Sequence, residues 1–192
     1  MKKSLLLTSL VAIGYTITTT HAQVPTPEQG RVVRHENFPS AHVTPRHVDV
    51  WLPAHYTPEK KYAVLYMQDG QMLFDSALTW NKQEWGVDET LTMLMEGKEI
   101  KDCIVVGIWN GGRSRHAEYF PQKPFESLSK SQQEVVYNAY RSNGQSIFFG
   151  ISIMSDHYLA FITQELKPFI DKTPEWWQKN SDRHFSKFGH SE

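Results

Sequence analysis

Asp69, Gly70 and Gln71 close an apolar run in the stretch "YMQDGQMLFD". An Asp-Gly pair at that place has two readings. It is a plain turn, among the commonest punctuation in a chain. Or it is a tight turn that leaves the Gln71 backbone N–H aimed into a site, the kind of fixed donor that an oxyanion needs. Acyl transfer also needs a nucleophile. Gly-x-Ser-x-Gly, the pattern that sets a serine on a strained strand-to-helix turn, occurs nowhere in the chain. The nearest string is Gly150-Ile151-Ser152-Ile153-Met154. Helix and strand nearly touch at such a turn, and Met154 stands where a small residue is required. Ser152 is thus the one serine to name, and it is not expected to act. Ser114, in "GRSRH", has no elbow before it. No catalytic serine, acid or histidine is identified.

Metal chemistry finds no better footing. His42 and His47 lie five apart and His184 and His190 six apart, with no His-Glu-x-x-His and a single cysteine. Scattered histidines among polar neighbours read as surface residues. No metal and no cofactor is expected.

The elements that must position these residues follow from periodicity. Val32–Phe38 is a candidate first strand. His47–Leu52 alternates Val48, Val50 and Leu52 against His47, Asp49 and Trp51, the pattern of a half-buried strand. Tyr62–Met67 and Cys103–Ile108 are continuous apolar runs, suited to strands covered on both faces. Val87, Leu91, Leu94 and Met95 have helical spacing, with Asp88 and Glu89 in the first turn and Gly97 at the end. Strand, helix, strand at this spacing predicts a βαβ unit. Ser129 and Gln132 predict a capping box for a helix to about Ser142, closed by Gly144. "SIFFGISIM" is apolar but short. A helix from Ser155 or Asp156 carries Tyr158, Leu159, Ile162, Leu166, Phe169 and Ile170 on its apolar face, with a kink at Pro168. Cys103 is expected to be a buried small hydrophobe.

The ends differ from the middle. Met1-Lys2-Lys3, the apolar "SLLLTSLVAI" and small residues before Gln23 read as an export signal over residues 1–22, cut near Ala22-Gln23. That apolar run is far shorter than the roughly 20 residues of a membrane span. The location expected is outside the cell or in the periplasm. The formal net charge is -1, and loss of Lys2 and Lys3 makes the balance more negative. Neither a basic stripe nor an excess of positive charge favours nucleic acid. Residues 173–192 contain no Val, Ile, Leu, Met or Ala, and so cannot supply a buried strand.

Four stretches together carry a resemblance. They are "HVDVWLPAHYTPEKKYAVLYMQDGQMLFD", "WGVDETL", "IVVGIWNGGRSRHAEYFP" and "YLAFITQELKPFID". In this order they resemble the esterase family of α/β-hydrolases that includes enterochelin-esterase-like and esterase-D-like serine hydrolases. The resemblance runs from about Arg31 to Asp171. It implies an α/β fold with a mostly parallel sheet flanked by helices, and a small carboxylic ester as substrate. It places the first oxyanion donor on the Gln71 backbone, with Asp69 and Gly70 shaping the turn. It makes Trp109, Asn110, Arg115, Glu118 and Tyr119 candidates for lining the cleft; a surface ion pair is the other reading of Arg115 and Glu118. The family's nucleophile follows the "ELKPFID" helix, where this chain has only its polar tail. The expectation is therefore a partial hydrolase domain over residues 23–172, the amino-terminal half of the fold, truncated before the nucleophile and inactive alone. The alternative is a non-catalytic exported binding protein that uses Trp109, Tyr119 and Phe120. In the implied strand order Tyr62–Met67 becomes a sheet edge, through which chains are expected to self-associate.

Overall fold

A computed structural model describes residues 22–172. The expected leader, Ala22 apart, and the polar tail lie outside the described residues. Four strands form one sheet: β1 (Arg31–Phe38), β2 (Arg46–Leu52), β3 (Ala63–Gln68) and β4 (Cys103–Ile108), in the order β1-β2-β4-β3. The sheet is mixed, which corrects the expectation of a mostly parallel one. β1 pairs with β2 and β2 with β4 antiparallel, and only β3 and β4 run parallel. Connection length decides the first and last of these pairings. A short loop joins β1 to β2 and permits a reversal, whereas α1 (Val87–Glu96) crosses between β3 and β4.

β2 is not half-buried as its alternation suggests. Asp49 and Trp51 are as inaccessible as Val48, Val50 and Leu52. Helix α1 brings Val87 and Met95 onto the Trp51 face, together with Leu73, Phe74 and Val105. The opposite face of β2 packs on the helical segment 155–171 through Tyr158, Phe161, Leu166 and Ile170. Asp49 tolerates burial because Arg34 donates to both its oxygens at 2.7 Å and Trp109 Nε1 donates to Oδ2 at 2.7 Å. Cys103 is buried, as expected, and burial pushes its thiol up from the ordinary value.

β3 departs from its apolar appearance. Ala63, Leu65 and Gln68 are exposed, because β3 has one neighbour, β4, among the described residues. Beyond β4 come α2 (Arg115–Tyr119), α3 (Gln122–Glu126) and α4 (Lys130–Tyr137). The capping box at Ser129 and Gln132 is present, but α4 ends at Tyr137. Residues 139–147 fold back as a short hairpin, with Ile147 N–H donating to the Ala139 carbonyl at 3.1 Å, and Gly144 turns that hairpin instead of closing the helix. "SIFFGISIM" supplies Phe148 and Ile153 to a small separate core with Ala117 and Phe125. The last helical segment starts at Ser155 as α5 (Ser155–Ala160). It widens into a π-helical stretch at Phe161–Leu166 and resumes as α6 (Lys167–Asp171). Pro168 lacks an N–H and crowds the preceding turn, and a wide turn before it lets the helix continue. Leu159 is exposed and leaves the expected apolar face.

Candidate functional site

β3 ends at Gln68 and β4 at Ile108, side by side and parallel. The residues that follow each strand therefore emerge at the same edge, where open α/β sheets hold their ligands. Asp69 leaves β3 in the left-handed conformation, φ 55° and ψ 44°. A one-turn 3-10 helix, Gly70–Met72, follows, in which Met72 N–H donates to the Asp69 carbonyl at 2.8 Å. The first N–H groups of any helical turn have no acceptor inside it. The Gln71 N–H has none among the described residues.

Asp69 and Gly70 divide the work of this turn. Asp69, not Gly70, supplies the positive φ. Gly70 is needed for contact: a Cβ there would stand 2.6 Å from the Gly107 carbonyl carbon and 2.9 Å from the Ile108 nitrogen. The loop thus rests on the β4 backbone, which fixes its height above the sheet. Asp-Gly is the order of residues that permits this, since Asp is among the few side chains that tolerate the left-handed region.

The loop after β4 grips the turn from the other side. Arg115, on α2, donates from Nε and Nη2 to the two Asp69 oxygens at 2.7 and 2.6 Å. Asn110 Nδ2 donates to Asp69 Oδ1 at 2.7 Å, and the Asn110 N–H to Gln71 Oε1 at 3.3 Å. Burial alone raises the Asp69 carboxyl pKa, but the hydrogen bonds from Arg115 and Asn110, with the Arg115 charge, outweigh it and hold the group below its ordinary range. Tyr119 lies under the Arg115 guanidinium, 5.0 Å from its ring centroid, and burial pushes its hydroxyl up to about 12. Asp69, Gln71, Asn110, Arg115 and Tyr119 thus form one connected site.

Glu118 and Trp109 belong to other arrangements. Glu118 is 1% exposed and lines no surface. It accepts from Arg46 Nη1 and Nη2 at 2.7 Å and from Ser114 Oγ at 2.8 Å. The Arg115–Glu118 surface pair is therefore corrected to two separate pairs, Arg115–Asp69 and Arg46–Glu118. Residues three apart on a helix are neighbours on its surface, yet here Arg115 reaches Asp69 and Glu118 reaches Arg46. Trp109 is half-buried, with the Arg34 guanidinium 4.7 Å from its ring and His47 edge-on at 4.9 Å. Phe120 packs edge-on to Phe125 and Phe148 in the small separate core. The three aromatic residues of the binding alternative are each engaged inside the protein. Arg46 is the partner that sequence reading missed, since nothing in "TPRHVDV" marks an arginine destined for burial.

Ser152 lies on an exposed loop and lines a shallow cleft of about 500 Å³ with Tyr137, Tyr140 and Phe148. No strand leads into it, so no elbow exists there. Neither Ser152 nor Ser114 is hydrogen-bonded to a histidine among the described residues. His42 faces His157 at 6.4 Å, and His47 Nδ1 accepts the Asn37 N–H at 3.2 Å, so the two do not form a pair. His184 and His190 lie outside the described residues. Among the described residues no helix is long and apolar enough to cross a membrane.

The family model described as Putative esterase matches residues 40–191. No curated protein sequence matches the chain. Among solved structures, a CE1 ferulic acid esterase from Anaeromyces mucronatus, in complex with ferulic acid, is 16% identical with a TM-score of 0.44; the similarity covers 76% of this chain and 43% of that one. The BES protein from Bacillus cereus is 17% identical with a TM-score of 0.40, over 81% of this chain and 50% of that one. The chain thus spans half or less of the length of both.

Proposed function

The chain belongs to the Putative esterase family, and from that premise we propose that its described part is the oxyanion side of a site for hydrolysing a small carboxylic ester. The observation that carries this reading is the Asp69 turn. Its Gln71 N–H is left without an acceptor among the described residues, at the shared end of two parallel strands. Asn110 and Arg115 hold the turn by three hydrogen bonds to one carboxylate. A donor fixed in advance stabilises a developing oxyanion without reorganising when the charge forms, and loss of one such donor costs about 10²–10³ in rate in known hydrolases. Asp69 itself is tied up by its partners and is a positioning residue.

The nucleophile is a separate matter. Residues 22–172 present no serine on an elbow, and we propose that they do not turn over esters by themselves. Basic-then-apolar composition before Gln23 supports the further proposal that the chain is exported; amino-terminal sequencing that returned Met1 from a cytosolic fraction would overturn it.

Two measurements separate the parts of the proposal. Titration of the full chain with a small carboxylate anion, followed by ¹⁵N NMR, is expected to move the Gln71 amide signal; an unmoved Gln71 alongside shifts elsewhere refutes the oxyanion placement. Treatment with a fluorophosphonate is expected to leave the chain unlabelled. Stoichiometric labelling lost on Ser152→Ala would show that Gly150–Met154 carries a working nucleophile.

A further inference from the structure

Trp109 stands between the buried Asp49 cluster and the Asp69 turn. Its backbone N–H donates to the His47 carbonyl at 3.1 Å, which carries the pairing of β2 with β4 one residue beyond Ile108. Its indole Nε1 donates to Asp49 Oδ2 at 2.7 Å. The ring has the Arg34 guanidinium 4.7 Å from its centroid and His47 edge-on at 4.9 Å. Asp49 is 0% exposed and is itself held by two bonds from Arg34. A hydrogen bond to a carboxylate is stronger than one between neutral groups, and the guanidinium attracts the ring face besides. Residue 109 is thus fixed to β2 by both its main chain and its side chain.

Asn110 comes next and turns the other way. Its N–H donates to Gln71 Oε1 at 3.3 Å and its Nδ2 to Asp69 Oδ1 at 2.7 Å, so it holds the residues on both sides of Gly70. Its Oδ1 accepts the Gly112 N–H at 2.9 Å, which points the amide nitrogen at the carboxylate. Nothing after Asn110 stiffens this arrangement locally. Two glycines follow, Gly111 and Gly112, and glycine is the most permissive of residues. The loop is therefore held by its anchors. Downstream stands the Arg115–Asp69 pair, whose arginine is 37% exposed. Upstream stands Trp109 on Asp49, the more deeply buried of the two.

We propose that Trp109, seated on Asp49, is a positioning residue for the Gln71 N–H, a role that rests on the oxyanion reading of that group. The seat fixes where the chain leaves β2, and so where Asn110 meets Asp69 and Gln71. Preorganised donors act only while they are held in place, and small displacements of such groups are costly. Trp109 works from beneath the turn, through Asn110, and not by lining a cleft. Asp49 serves the same end one step further back, as the acceptor that orients the indole.

The test compares acetate binding at the Gln71 amide, followed by ¹⁵N NMR, in the full chain and in Trp109→Phe. That variant is expected to fold, because phenylalanine keeps a ring beneath the guanidinium and Asp49 keeps both Arg34 bonds. Loss of the indole donor is expected to weaken acetate binding by about threefold to tenfold. Ile170→Val, which trims a buried side chain on the other face of β2, serves as the stability control. It is expected to lower the melting temperature while leaving acetate affinity unchanged. Equal affinity in the parent and Trp109→Phe, or an equal loss in Ile170→Val, overturns the role of Trp109. A parent whose Gln71 amide ignores acetate overturns the oxyanion reading itself, and the role with it. Hydrogen exchange of the parent gives a readout without substitution. The Trp109 indole N–H and the Asn110 N–H are expected to show similar protection, as parts of one unit that opens together. An indole N–H that is unprotected beside a protected Asn110 refutes the seat.

Discussion

Arg46 on β2 and Glu118 on α2 form a two-point ion pair, both distances 2.7 Å, with the side chains 3% and 1% exposed. It is the bolt between the sheet and the helix that carries Arg115. The Arg46 guanidinium also lies 5.6 Å from the Tyr158 ring and 5.5 Å from that of Phe161. Removing one partner leaves a buried charge uncompensated, which costs about 3–5 kcal/mol. Glu118→Ala and Arg46→Ala are therefore each expected to shift the urea midpoint strongly. Replacing both with Met is expected to recover much of that loss, since two well-packed apolar side chains often substitute for such a pair. Urea denaturation of the three variants checks this.

Gly70→Ala addresses the height of the turn. The added carbon would sit 2.6–2.9 Å from three backbone atoms of Gly107 and Ile108, none of which can rotate away. We expect destabilisation of about 3 kcal/mol or more, above the usual range for overpacking because the obstacle is main chain. Gly107→Ala meets Leu73 Cδ1 at 3.0 Å, a side chain that can yield, and backbone atoms of Asp49 and Gly70 only at 3.3 and 3.4 Å, and is expected to cost less. Equal losses in thermal melts would count against the contact argument.

Asp69→Asn keeps a side chain that accepts the left-handed backbone but removes the charge. The Arg115 end of the pair is 37% exposed, which limits the loss to about 1 kcal/mol. The larger effect is expected in the loop: faster amide exchange across residues 110–119 than in the parent. Because the folded-state carboxyl is depressed, its contribution is present above the ordinary carboxylate range and is lost as pH falls through the folded value. The stability gap between parent and variant should close on acidification.

His35 supplies a pH dependence of its own. Burial lowers its pKa to about 4 from 6.5, against a smaller opposing pull from Asp49. In the unfolded chain the ring takes up a proton near the ordinary value, and in the fold only near 4. Protonation thus favours unfolding, and this stability is lost as pH falls from about 6.5 to about 4. Asp88 works in the opposite sense, since burial pushes its carboxyl up to about 6. The check is therefore a difference: the melting temperature of the parent minus that of His35→Leu should fall between pH 6.5 and pH 4.

Leu65 is 41% exposed on β3, beside the exposed Ala63. With β4 on one side and no strand on the other among the described residues, β3 offers unpaired backbone groups along an apolar edge. Leu65→Lys is expected to raise the monomer fraction in size-exclusion chromatography, with little loss of stability. A parent protein that elutes as a stable monomer with a cooperative melt would mean that the edge is covered.

The local pattern of the sequence determined which segments form elements. Continuous apolar runs fixed β3 and β4, helical spacing fixed α1, and Ser129 with Gln132 fixed the start of α4. These are short-range effects of side-chain period and capping, legible without the fold. The same applies to the Asp-Gly turn at the end of β3. What the sequence could not decide was pairing and company. Strand direction depended on how each connection crossed the sheet, so the sheet came out mixed. The burial of Asp49, Arg46 and Glu118 depended on partners far away in the chain, because a charge is tolerated inside only where the fold delivers its counterpart. Arg115 was visible as a candidate, but its partner Asp69 was set only when two parallel strands brought their ends together.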